Sequence, residues 1–405
     1  MPQQEHVLSG YKVLDFTQYI AGPTVTRMMA EMGAEVIKVE MAPRGDNVRA
    51  MPYLKNNRSG YFIQQNLGKK SLCIDVRSPA GIAIVKDLIR KVDVVVENFG
   101  PGTMVRLGLG YDVVKEINPK AIMCSISTFG QNGPLATKPG WDFIGACYAG
   151  VIDMIGEKDG PPVFAGLAIG DTSTGVHGLA AVLAALLYRE RSGIGQFLDI
   201  CLLDSYFTYH DTGVHAYSLS DGKYLHQRFG RQHPLYTPIG IFNGHEHYIC
   251  IMGPMDNQWT ALCEAMGQPE LAKDPRFATA PERVKNQAEA IRIVQDWLDR
   301  TPDDEALARM DEHRVPVAPV LSVGEAMQHP HLRERRTVRT VPDPVVGQID
   351  LPGFPLRFSA FPDGLPVQAP LLGQHNLEVL ENYLGYSAER VKELETAGIL
   401  VRKDC

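Results

Sequence analysis

The stretch VDVVVENFGPG (92–102) decides the fold class. Successive strand residues point to opposite faces, so a strand with one wet face alternates apolar and polar residues. Here valines fill both faces over residues 94–96, which demands cover on both sides, as for a central strand of a parallel sheet. Gly100, Pro101 and Gly102 then end the run in a loop. On either side lie YKVLDF (11–16), AEVIKVE (34–40), SLCIDV (71–76) and KAIMCSIS (120–127), with helical windows over 23–32, 79–91 and 111–117 between them. This alternation is the pattern of βα units and predicts an α/β fold with a Rossmann-like parallel sheet. Ligands of such sheets bind beyond the carboxyl ends of the strands, where AGP (21–23), NFGPG (98–102) and TFGQNGP (128–134) fall.

Further along, long apolar helical windows cover 172–191 and 202–217, separated by the strand-like GQFLDI (195–200). Gly175 and Gly178 cost the first of these helix propensity but admit a close neighbour, so something is expected to pack tightly there. The polar, aromatic KYLHQRFGRQHPLYTP (223–238) reads as a connector. In IGIFNGHEHYICIMG (239–253), alternation around Asn243-Gly244 signals a hairpin. Helical windows with charged faces over 257–266, 283–300 and 303–313 complete a smaller α+β domain. From VPVAPVLSVGEAM (315–327) onward the chain is Pro-rich and extended, with strands expected at 336–341 and 348–351 and helices at 376–384 and 388–397. The expected organisation is a large domain over 1–220, a linker and small α+β domain over 221–325, and a return segment over 326–405 that completes the large domain.

A net charge of −7 with no basic block argues against nucleic acid or an anionic membrane as partner. Any anionic ligand must be held by local Arg, Lys and backbone N–H groups. The seven cysteines, Cys73, Cys124, Cys147, Cys201, Cys250, Cys263 and Cys405, form no CxxC pair, so buried free thiols in a reducing cytoplasm are expected. MPQQEHVLSG lacks the basic start and apolar core of a signal peptide, and no 18-residue apolar run could span a bilayer.

GLAIGDTSTG (166–175) sets Asp171 after a Gly-rich turn and before a helix expected to begin near Thr172. One reading is an N-cap accepting from the first free backbone N–H groups. The other is a nucleophile, kept ionised by the positive helix end and approached through flanking glycines. The local pattern does not separate them.

A wider pattern does. VLDFTQYIAGP (13–23), VIKVE (36–40), RGDNVR (44–49), VENFGPGTMVRLGLGY (96–111), INPKAIMCSISTFGQNGP (117–134), GDTSTGVHG (170–178) and APLLGQHN (369–376) together resemble the class III CoA-transferases, the formyl-CoA transferase and carnitine CoA-transferase family. The resemblance is colinear over essentially the whole chain. It implies a Rossmann-like large domain built from both chain ends, a small inserted domain, and an interlocked homodimer. It also implies acyl-CoA as substrate with no permanently bound cofactor, and Asp171 as the nucleophile that forms a mixed anhydride and then an aspartyl-CoA thioester. By the same resemblance Ile20, Ala21, Ile74, Arg77, Asn98, Phe99, Gly100, Arg106 and Lys138 are expected along the CoA path. Arg231 and His233, in the connector, are candidates for holding an acceptor carboxylate.

Departures from the family narrow the expectation. Ile20 stands where formyl-CoA transferase carries glutamine, Met41 where it carries an arginine, and HQRFGRQHPLYTP (226–238) where it carries a mobile polyglycine loop, so oxalate and formyl-CoA are poor candidates. The same fold hosts acyl-CoA racemases, whose His falls near Trp141 and whose small-domain acid is missing from CIMGPMDNQW (250–259); an intramolecular CoA transferase is the other isomerase reading. A nucleotide-binding dehydrogenase is disfavoured because IAGP, not GxGxxG, follows the first strand. A noncatalytic subunit is disfavoured by Asp171 itself. His245 and His247 have no Cys or carboxylate to complete a metal-ligand set at usual spacing, so no metal is expected.

Overall fold

The computed structural model describes residues 5–403, which leaves Cys405 outside the described residues. Six parallel strands form the main sheet: β1 (Lys12–Asp15), β2 (Glu35–Met41), β3 (Lys69–Ile74), β4 (Val94–Glu97), β5 (Ile122–Ser127) and β6 (Phe197–Cys201). Their spatial order is β3-β2-β1-β4-β5-β6, the doubly wound order in which the winding reverses between β1 and β4. Val94, Val95 and Val96 are completely buried. Val95 packs into one apolar cluster with Leu14, Ile37 and Leu88, while Val94 and Val96 enter the opposite one with Val25, Met29 and Val182. The valine run is thus covered on both faces.

Two compact units divide the chain: 1–151 with 165–212 and 333–405, and 152–164 with 213–332. In the first unit the tail returns to β3. The Ser71 and His375 backbones and the His375 ring exchange hydrogen bonds, and the Asn376 amide oxygen accepts from the Cys73 N–H at 2.9 Å. The strands expected near 336 and 348 form an antiparallel ribbon, Val338–Asp343 with Gly347–Pro352.

In the second unit the expected hairpin pairs Ile239–Asn243 with Tyr248–Met252, and Val317–Pro319 adds a third antiparallel strand. The Asp303 carboxylate accepts from the backbone N–H groups of His245, Glu246 and His247, which fixes the turn. Trp259, Phe277 and Trp297 lie in this unit's core.

Two helix expectations need correction. The window 202–217 is two helices, Leu202–Phe207 and Gly213–Leu219, because the chain bends at His210, whose ring bonds to the Ala149 carbonyl at 2.7 Å. The window 283–300 breaks at Asn286, whose side-chain amide donates to the carbonyls of Glu282 and Arg276. Of the cysteines, Cys73, Cys124, Cys201 and Cys263 are buried, but Cys147 is exposed, and the described cysteines are all free thiols. No described helix is long and apolar enough to cross a membrane.

Candidate active site

Above the carboxyl ends of β1, β4 and β5 lies a cleft of about 660 Å³. It opens at the reversal between β1 and β4, where two loops diverge to opposite faces of the sheet and leave a crevice. Ala21, Asn98, Phe99, Gly100, Arg106, Lys138 and Asp171 all line it. The sequence brings them there on the connections that follow three strands adjacent in the sheet, β1, β4 and β5, and on the first turn of a long helix.

That helix, α1 (Ile169–Ser192), is held against the helix Ala21–Glu31 by missing side chains. A Cβ on Gly175 would come within 2.5 Å of the Thr24 side chain and 2.7 Å of the Ala21 carbonyl, and one on Gly178 within 2.9 Å of Val25. The expected tight neighbour is therefore the helix that follows β1. Its contact carries Asp171 to the cleft.

Asp171 is not the N-cap. The helix begins at Ile169, with Ala168 as the flanking residue, so Asp171 occupies its third position. Its backbone N–H instead donates to the Asp142 carboxylate at 3.0 Å, so Asp142 supplies the cap from the neighbouring helix Asp142–Tyr148. Nor does the helix end keep the carboxyl ionised at low pH. Burial first, and the charge of Asp142 second, push the Asp171 pKa up to about 7. Burial also raises Asp142. Because the folded pKa of Asp171 lies above its ordinary value of 3.8, the stabilisation from binding that proton is full below about pH 4 and is lost as pH rises through 7.

The cleft walls are tied to one another. The Asn98 side chain donates to the Gln18 carbonyl at 2.7 Å and accepts from the Gln18 N–H at 2.8 Å, joining the loops after β1 and β4. Tyr19 then takes a left-handed φ of 65°, and its ring meets Trp141 edge-on at 4.8 Å. Beneath this loop, buried charges replace apolar packing. Lys38 donates to the Thr17 carbonyl and pairs with Asp46 at 2.8 Å, while Lys69 pairs with Asp15 at 2.9 Å. Asp15 in turn accepts from the Thr17 N–H and the Thr26 hydroxyl. Such pairs are costly to break, because removing one partner strands a buried charge.

Three expected site residues of the first unit, Ile20, Ile74 and Arg77, do not line the cleft. Ile20 is the flanking residue of the helix Ala21–Glu31, and its carbonyl accepts from Thr24. Ile74, the last residue of β3, is fully buried in the apolar core. Arg77 is exposed and paired with Asp75 at 2.9 Å. Arg231 and His233 belong to the second unit, where Arg231 donates to Asn243 at 2.9 Å. His245 and His247 bond to the Leu298 carbonyl and to Glu325, and no metal-binding group of three His, Cys, Asp or Glu exists among the described residues.

Other residues enter that the sequence did not single out: Gln18, Tyr19 and Phe129 in the lining, Asp142 as cap, and Tyr61, whose pKa is raised by burial and by the Asp171 charge; Trp141, noted only as the racemase His position, also lines the cleft. Asp142 carried one usable signal, an acid directly before a helical run.

The model of CoA-transferase family III matches residues 8–376. The chain belongs to this family. As a family III CoA-transferase it is an enzyme of acyl-CoA metabolism. It is 33% identical over 394 residues to the succinyl-CoA:glutarate CoA-transferase of Mus musculus, covering 97% of this chain and 90% of that one. It is 35% identical over 395 residues to the succinyl-CoA–D-citramalate CoA-transferase of Chloroflexus aurantiacus, covering 97% and 98%. Among solved structures, a CAIB/BAIF family protein from Brucella suis superposes with a TM-score of 0.83 at 32% identity, covering 94% of this chain and all of that one.

Proposed function

We propose that this CoA-transferase moves CoA from an acyl-CoA thioester to a small dicarboxylic acid, with Asp171 as nucleophile. One observation carries the reading: the family membership is joined to a carboxylate in the first turn of a helix, facing a cleft that also contains Arg106 and Lys138. The Asp171 carboxylate attacks the thioester carbonyl, the C–S bond breaks, and CoA thiolate leaves behind a mixed anhydride. The thiolate attacks the aspartyl carbonyl of that anhydride, releasing the donor acid as its carboxylate. The acceptor carboxylate then attacks the aspartyl-CoA thioester and expels thiolate, which takes the acceptor acyl group and regenerates Asp171. Each step exchanges one acyl leaving group for another, so no redox cofactor or metal enters.

Ala21, Asn98, Phe99, Gly100, Arg106 and Lys138 are assigned to CoA. Arg106 and Lys138 are suited to its phosphates, and the glycine to close backbone approach. The names of the mouse and Chloroflexus relatives favour succinyl-CoA as donor and a dicarboxylate as acceptor. A matrix of acyl-CoA donors against mono- and dicarboxylates, read by mass spectrometry, tests this. Transfer to C4–C6 dicarboxylates is expected, and transfer confined to monocarboxylates would refute the assignment.

Because the attacking form is the carboxylate, single-turnover release of CoA should rise with pH through an inflection near 7, the value to which burial moves Asp171. A flat profile between pH 5 and 8 would remove Asp171 ionisation from the rate.

The enzyme is further assigned to a homodimer, interlocked as the family resemblance implies. The reading fits the apolar side chains left exposed on each unit, Leu187, Ile194 and Phe207 on the first and Tyr217, Leu219 and Leu225 on the second, which a subunit contact would cover.

A further inference from the structure

Glu97, the last residue of β4, is almost completely buried, although strand-end carboxylates commonly reach water. It sits in register with Ser125 on β5, and Ser125 sits in register with Asp199 on β6. Three polar residues therefore form a row across three parallel strands, under the loops that wall the cleft. Each acid holds one loop. Glu97 accepts the Phe99 N–H at 2.8 Å, and Asp199 accepts the Gln131 N–H at 2.9 Å. The Ser125 hydroxyl bonds to Glu97. Phe99 and its neighbours Asn98 and Gly100 line the cleft, and Asn98 in turn clamps Gln18. A single carboxylate thus stands at the root of the loop that joins two cleft walls.

We infer that Glu97 is a positioning residue for CoA: its carboxylate sets the Asn98–Gly100 loop from beneath, so that its protonation loosens the loop and weakens CoA binding. The inference rests on the assignment of CoA to this cleft. A charged acceptor makes a hydrogen bond roughly twice as strong as a neutral one, so the Phe99 anchor weakens when Glu97 takes a proton. That proton is taken near neutrality, since burial raises Glu97 to about 7 against the opposing bonds from Ser125 and the Phe99 N–H. Asp199 adds to the rise from its side of the row, and the Cys124 thiol is itself raised partly by Glu97. The sign is fixed: CoA affinity falls as pH drops through about 7.

The test measures binding by calorimetry from pH 5.5 to 8.5, using dephospho-CoA because it lacks the 3′-phosphate that titrates in this range. An Asp171→Asn background removes the other titrating carboxyl of the cleft. With Glu97 present, the dissociation constant should rise about fivefold from pH 8.5 to 5.5, the worth of one weakened hydrogen bond. In Glu97→Gln, which keeps an acceptor oxygen, it should be flat and close to the acid value. Ser125→Ala, which removes a bond favouring the charged form, should move the inflection to higher pH. An unchanged pH dependence in Glu97→Gln overturns the positioning role while leaving the cleft assignment intact. No dephospho-CoA binding at any pH, with Glu97 present, overturns the cleft assignment and this inference with it.

Discussion

Asp171→Asn is expected to lower the rate of CoA transfer by a factor on the order of 10⁴ or more, the scale on which loss of a covalent nucleophile registers. An amide can be seated where the carboxylate was, but it does not form the anhydride. The fold should not suffer. The helix cap is supplied by Asp142, which accepts the Asp171 backbone N–H, a bond the substitution leaves intact. Above pH 7 the variant should be at least as stable as the parent, because it removes a carboxyl whose ionised form is disfavoured by burial and by Asp142. Thermal unfolding at pH 8, dephospho-CoA binding and transfer kinetics together separate these effects. Turnover within tenfold of the parent would end the covalent assignment. So would failure of hydroxylamine or borohydride to mark Asp171 in the parent enzyme mixed with an acyl-CoA.

Gly170→Ala is expected to lower activity by at least about 100-fold while costing about 1–3 kcal/mol of stability, as overpacking of a filled site does. An added Cβ would lie 2.0 Å from the Tyr206 ring and 2.2 Å from an Asp142 carboxylate oxygen. Both neighbours are buried, so relief requires the first turn of α1 to move. That turn carries Asp171, and a displacement of about 1 Å at a reacting group is enough for a loss of this size. Gly100→Ala is the control: it also alters the cleft lining, but its Cβ would meet nothing within 4 Å, so stability should change by less than about 0.5 kcal/mol. Transfer rates and denaturant midpoints for the two variants test the argument. Equal denaturant midpoints for Gly170→Ala and Gly100→Ala would refute it.

Much of this is legible in the sequence. The valine run at 94–96 required two covered faces, and β1 to β6 formed at or within two residues of the strand-like runs. The loops read as ligand-facing, 21–23, 98–102 and 128–134, all contribute to the cleft lining or border it. Periodicity succeeds here because it reports burial, and burial of strands and helices follows from local side-chain order. It failed at Asn286 and His210, where one polar side chain reaching a distant or preceding carbonyl ended a helix that the apolar pattern would have continued.

The site divides along the same line. Gly175 and Gly178 could be read as a close approach, but not against which element. Asp171 could be read as a helix-start acid, but its partner Asp142 lies 29 positions away in sequence. Lys38 and Asp15 sit in apolar strand runs and Lys69 opens another strand, and alternation alone offers no account of why charges should be buried there. The chemistry of Arg77 marks it as a possible anion partner, but a linear sequence does not tell that its guanidinium is already paired with Asp75.

By itself, the sequence determined the α/β class, the order of strands and helices, the family, and which carboxylate was worth suspecting, because each depends on local pattern or on colinear motifs. Only the tertiary structure decided that Asp171 sits in the first turn of the helix rather than capping it, that Asp142 does the capping, and that burial moves Asp171 to neutrality. Those properties depend on distances between chain-remote groups and on how much water remains between them, and a linear order of residues records neither.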